Sequence, residues 1–325
     1  MTAVVLRYFG LALIACLALR VSAVSGQPYP AKPVRIIAGF VAGTGVDFAA
    51  RAVAEKLRDS LGQPFIVENR PGAGANIATE FVARAPSDGY TLLLANNALA
   101  INPALYPKLS YDSVKDFSPV SLAGISPMVL VAHPALPAQT VRDLVALARR
   151  RPGEINLASA GTGSPSHLAG ALFAHMAGIK LVHVPYKGAP PALTDLLGGQ
   201  VSLYVSGLPP AVPMVRDGRV RALAVTTPRR SAAMPDVPTF AESGYDGYDV
   251  PLWYGIVAPA KTPEDVISKL NAEIVRAMAA PDLRERFLAQ GIDPVASTPG
   301  QFAEQIKAEI RRWTQVVKAA GIKVE

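Results

Sequence analysis

The chain has 325 residues, 50% of them hydrophobic and 18% charged, with a formal charge of +7. Single cores stop growing near roughly 250 residues, so the length implies two lobes, and the apolar balance excludes a disordered chain. The 29 prolines and 26 glycines follow no period, which excludes collagen and repeat arrays.

Residues 1–26 contain no acid, carry Arg7 ahead of an apolar stretch from Tyr8 to Leu19, and end in small residues. That is the pattern of a signal peptide, and its apolar part is too short for the roughly 20 residues of a membrane span. The lone cysteine, Cys16, lies within it, so the mature chain is expected to hold no disulfide or cysteine ligand, and a lipoprotein reading is disfavoured because Leu17-Ala18-Leu19 prolong the apolar run. From Val34 onward, apolar runs, glycine turns and amphipathic segments alternate, which predicts an α/β fold with helices around mostly parallel sheets. Strands are expected over Val34 to Phe40, Phe65 to Val67 and Thr91 to Ala95, with helices through Val46 to Leu61 and about Ala75 to Ala85. A second series begins after Pro127, with a helix from Thr140 to Arg151, a strand at Leu157 and a helix opened by Ser164-Pro165. Strands at Val182 to Val184, Val201 to Val205 and Ala222 to Val225 follow, separated by helices near Pro191 to Leu197 and Ala211 to Arg216. Trp253 to Val257 is a further strand, then one helix carries Val266, Leu270, Ile274 and Met278, and a last one carries Phe302, Ile306, Trp313 and Val317 up to Gly321.

Lys and Arg are scattered, and the densest runs, such as Arg149 to Arg151, lack interleaved aromatics, so a solvated basic surface is favoured over a nucleic-acid interface. Two turns stand out as candidate sites: Phe40 to Asp47 and Ser159 to His167, each joining a strand's carboxyl end to a helix start. Glycine allows close backbone approach there, and the free N–H groups of the first helical turn can cradle a small anion. For either turn alone, a tight structural turn is the competing reading. Asp47 is read as a dipole or loop-fixing residue ahead of a catalytic acid. Tyr186-Lys187-Gly188 admits ligand contact and surface loop equally, whereas Pro71 to Gly74 reads as a structural turn. No G-x-S-x-G, G-x-x-x-x-G-K-[ST] or H-E-x-x-H motif occurs, and the four histidines lack ligand spacing, so no catalytic residue, metal or cofactor is expected. A hydrolase using Ser164 and His167 is the enzyme alternative, though a capping serine beside an ordinary histidine is preferred.

Tyr29-Pro30 through Val34-Arg35, Val67-Glu68-Asn69-Arg70-Pro71-Gly72-Ala73-Gly74, Asp88-Gly89-Tyr90-Thr91-Leu92, His183-Val184-Pro185-Tyr186-Lys187-Gly188 and Arg221-Ala222-Leu223-Ala224-Val225 together resemble the Bug family, periplasmic substrate-binding proteins of tripartite tricarboxylate transporters. The resemblance runs in order along the mature chain and implies a type II, two-lobed Venus flytrap, with residues 27–127 plus 251–325 in one lobe and 128–250 in the other. It implies that the glycine turns hold a ligand carboxylate, partly through ordered water. Phe40, Ala42, Gly43, Thr44, Gly45 and Asp47 would serve in the first lobe. Ser159, Gly161, Thr162, Gly163, Ser164, His167 and Tyr186 would serve in the second, with Ser206, on the loop after its strand, as a specificity position. The implied partners are a small organic acid and membrane permease subunits, for a monomeric periplasmic protein; a ligand sensor feeding a signalling partner is the alternative. Two departures stand out. The family's proline-bearing, triple-glycine first loop is replaced by Gly39 to Gly45, and Ser206 stands where many members carry an acid, which leaves no evident counter-charge for a ligand ammonium group.

Overall fold

The computed structural model describes residues 29–322; the signal segment read over residues 1–26, with Cys16, lies outside them. Apolar runs give strands β1 (Val34–Ala38), β2 (Phe65–Asn69), β3 (Thr91–Asn96) and β4 (Phe117–Ser126). Between them lie α1 (Gly45–Leu61), α2 (Asn76–Ala83) and α3 (Ala98–Leu105). The next stretch holds β5 (Met128–Ala132), α4 (Val141–Arg150), β6 (Asn156–Ser159), α5 (Pro165–Ala177), β7 (Val182–Pro185), α6 (Ala189–Leu197), β8 (Leu203–Gly207), α7 (Leu208–Arg216) and β9 (Arg221–Val225). The chain closes with β10 (Leu252–Pro259), α8 (Glu264–Ala279), α9 (Pro281–Ala289) and α10 (Pro299–Ala320).

Local chemistry sets the helix ends. The side chains of Thr44, Thr140, Ser164 and Thr298 each accept the amide three residues on, and Gly62, Gly178 and Gly321 end their helices in the left-handed conformation.

Two five-stranded sheets form among the described residues, in the orders β2-β1-β3-β10-β4 and β7-β6-β8-β5-β9. In each, the first three strands are parallel and the fourth runs against both of its neighbours. The sheets therefore share one order, mixed but with a single reversed strand. Near-continuous burial of β3, β5 and β10 follows from cover on both faces.

The chain passes between sheets at Pro127, the single residue between β4 and β5, and again between β9 and β10. Thr226, fully buried, ties the two crossings together: its Oγ1 accepts from Met128 N at 2.8 Å and donates to Val250 O at 2.8 Å.

Four elements go beyond the sequence reading. Helix α3 contains Pro103, and β4 contains Pro119 and Gly124, residues that locally argue against helix and strand. Strand β5 and helix α9 are the other two. Strand β8 also starts two residues later than expected, because Gln200 N and Val201 N close a turn onto Asp195 O at the end of α6. Ser206 consequently lies inside the strand and not on the loop after it. Met176 on α5 is 36% exposed, whereas Met278 and Trp313 are core.

Candidate ligand-binding site

The β1–α1 and β6–α5 loops are built alike. In the first, the Thr44 hydroxyl donates to Val41 O at 3.0 Å and accepts from Asp47 N at 3.3 Å. In the second, the Ser164 hydroxyl donates to Gly161 O at 2.6 Å and accepts from His167 N at 3.3 Å. Gly43 and Gly163, each just before the cap, take φ of 82° and 80°, the left-handed region that favours glycine. Their amides are then captured by the side chain four residues on: Gly43 N donates to Asp47 Oδ2 at 3.1 Å and Gly163 N to His167 Nδ1 at 3.3 Å.

The two braces differ in charge. Burial opposes ionisation of Asp47, but hydrogen bonds from Arg51, Gly43 N and Asn69, with the Arg51 charge, hold its pKa below the usual carboxylate value. Arg51 lies 2.9 Å from one oxygen and Asn69 donates at 3.0 Å, the same Asn69 amide also reaching Phe40 O at 2.9 Å. Burial, aided by the neighbouring His183, pushes the His167 pKa down to about 3. The His167 ring is thus neutral and stacks on His183 with centroids 3.9 Å apart. His183 also meets the Ser159 hydroxyl at 2.7 Å.

Between the loops lies a cavity of about 60 Å³. Phe40, Thr44, Gly45, Val46, Asn96, Leu252 and Tyr254 line it from the first sheet's side; Met128, Ala160, Pro165, Ser166, Ala189, Tyr204, Gly207 and Pro210 line it from the second's. None of these residues is charged. Its donors are hydroxyls, the Asn96 amide and first-turn backbone N–H groups. Each loop also meets the opposite side beside the cavity. Tyr106 donates to Thr162 O at 3.4 Å, and a Cβ at Gly74 would lie 2.9 Å from that same oxygen. One at Gly188 would lie 2.8 Å from Val41 Cγ2. The Pro71 to Gly74 turn therefore packs on the opposing loop and does more than reverse the chain.

Of the sequence-predicted residues, Phe40, Thr44 and Gly45 line the cavity. Ala42 is exposed at the loop tip, while Gly43, Asp47, Gly161, Thr162, Gly163 and Ser164 shape the two loops. The carboxylate of Asp47 is taken up by its own loop. His167 lines a separate groove of about 700 Å³ with His175 and His183. Tyr186 turns away, its hydroxyl donating to Asp195 at 2.6 Å, and Ser206 is fully buried with its hydroxyl on Gly207 O at 2.9 Å, outside the cavity lining. The Ser164 Oγ meets no histidine ring nitrogen: its partners are Gly161 O, Ser166 Oγ and His167 N, which is not a nucleophile–base pair. Sequence reasoning missed Asn96, Tyr204 and Tyr254. The available signal was a tyrosine in an otherwise buried run, whose O–H must find a partner or face a cavity.

Residues 49–322 match the model of the tripartite tricarboxylate transporter family receptor. BugT of Bordetella pertussis (strain Tohama I) is 40% identical over 304 residues, spanning 93% of each chain. The chain belongs to this receptor family. Among solved structures, Rpa4515 of R. palustris, determined with adipate, superposes with a TM-score of 0.88 at 35% identity, covering 91% of this chain and 99% of its own. The periplasmic binding protein BugD gives 0.87 at 35% identity, covering 91% of this chain and all of its own. The receptor therefore has the two-lobed α/β architecture of periplasmic binding proteins, and its function is solute binding for a tripartite transporter.

Proposed function

We propose that this receptor captures a small organic carboxylate lacking an ammonium group, in the cavity between the β1–α1 and β6–α5 loops. The observation that carries the reading is the pairing of two identically capped glycine loops over one cavity with no charged lining residue. Such a site holds an anion through oriented N–H and O–H dipoles, as helix starts do. It offers no carboxylate to a cationic amine, whose unpaired burial is costly. Rpa4515 with adipate gives a precedent for a dicarboxylate in this family. Residues 27–127 with 251–325 would act as one lobe and 128–250 as the other, closing on the ligand and opening to release it. Export by residues 1–26, a monomeric state in the periplasm and delivery to membrane permease subunits complete the reading.

The test is a thermal-shift screen of the mature protein against mono-, di- and tricarboxylates and their amides. A ligand that binds only the folded state adds about 2.7 kcal/mol of stability at 100-fold excess over Kd. Free acids should raise the melting temperature and their amides should not. Equal shifts from acids and amides would overturn the anion-holding reading.

A further inference from the structure

Tyr254 is fully buried in β10, lines the central cavity, and its hydroxyl has no hydrogen-bond partner among the described residues. Orphaned buried hydroxyls are rare, because desolvating one without a partner is costly. The other cavity phenol, Tyr204, differs: its hydroxyl is held by Ser166 at the start of α5. Gly45, the first residue of α1, has no left-handed φ to explain its identity. A Cβ there would come to within 2.4 Å of Tyr254 Oη, so the missing side chain is what admits the phenol to the helix start. The ladder between β10 and β4 slips at this point, where Tyr254 pairs with Gly124 and Gly255 with Leu122. Such bulges re-aim side chains beside functional sites. On the other side, Tyr254 is in register with Asn96, whose Oδ1 accepts from Ala98 N at 3.1 Å and leaves the NH2 group as a second donor on the wall. The opposing helix α5 begins with Pro165, which has no N–H to offer.

We propose that the Tyr254 hydroxyl donates directly to the ligand carboxylate at the start of α1, making this end of the cavity the carboxylate seat. The first-turn amides of α1 and the Asn96 NH2 group complete it. Gly45 is the space that the seat requires. The apolar side chains of Met128, Leu252 and Pro210 then face the remainder of the ligand. Burial raises the Tyr254 pKa, so the phenol stays a protonated donor at neutral pH. This assignment rests on the carboxylate reading above.

The experiment is titration calorimetry of the mature wild type and Tyr254→Phe with adipate, succinate and benzoate, alongside the melting temperature of each apo protein. Phe removes only the oxygen, so the apo variant should melt at or above the wild-type temperature, while the best-bound acid weakens by about 10-fold or more. Gly45→Ala should also weaken that acid, by pressing on the hydroxyl. Unchanged affinity in Tyr254→Phe overturns this assignment alone and leaves the carboxylate reading standing. An apo melting temperature several degrees below wild type would mean that the hydroxyl is partnered within the protein, and overturns it equally. A wild type that binds none of the three acids overturns the carboxylate reading, and this seat with it.

Discussion

Asp47 and His167 hold the same place in two copies of one loop, each accepting the amide of the glycine four residues before it. One brace is a carboxylate paired with Arg51; the other is a neutral imidazole stacked on a second histidine. The protein thus uses two deprotonated acceptors of different charge to reach one backbone geometry. Both braces fail in acid, but over different ranges.

For His167 the folded pKa lies near 3, below the ordinary histidine value of 6.5. Between those values the unfolded chain binds a proton that the folded chain refuses, so stability is fully present above about pH 6.5 and is lost as pH falls towards 3. The loss should be on the order of a few kcal/mol. His167→Asn retains an acceptor for Gly163 N but does not titrate. Its melting temperature should vary less with pH across this window, and parallel wild-type and mutant profiles would refute the assignment.

Asp47 has a depressed folded pKa, so its contribution is present above the ordinary carboxylate range and disappears as pH falls through the folded value. Asp47→Asn keeps the shape, but loses the charge that holds Arg51 and turns one acceptor oxygen into a donor. We expect a loss of about 1–3 kcal/mol in urea unfolding at pH 7. The difference from wild type should shrink as the wild-type carboxylate protonates.

Ser164→Ala removes a cap and should cost about 0.5–2 kcal/mol of stability. Its hydroxyl is committed to Gly161 O and to the α5 amide, so the change in ligand affinity should follow the loosening of the loop. Ester hydrolysis by wild type and mutant should equal the buffer blank. Turnover that depends on Ser164 would revive an enzymatic reading.

Ser206→Asp places a carboxylate inside β8, fully buried and away from the cavity wall. Burial without a partner disfavours the charged form, and the variant should lose about 2 kcal/mol or more. It should gain no affinity for aspartate in calorimetry. Tight aspartate binding would show that position 206 reaches the ligand after all.

The features legible in the sequence were those whose physics is local. Ser164 and Thr140 announce their helices because a capping side chain acts on an amide three residues away, and Gly62 and Gly321 end theirs by backbone conformation alone. Both loops could be read for the same reason. The cavity wall was not, because Tyr254 faces Gly45 only through sheet pairing across more than 150 residues of chain. Locally it looks like one more side chain in an apolar strand. Asp47 likewise became a brace through Asn69, which lies at the end of another strand. Position 206 was misplaced by the two-residue shift of β8, and a strand slip of that size cannot be read from an apolar run that continues through it.

Among the described residues strand β4 has only β10 as a sheet neighbour, and β10 also bridges β4 to β3. The first sheet therefore stays in two pieces until residues 252–259 are in hand, whereas residues 128–225 carry every strand of the second. A chain emerging N-terminus first can complete the later sheet before the earlier one. The sheet that starts the sequence is the last to be completed, and a chain truncated before Leu252 would leave the edge of β4 exposed for aberrant pairing.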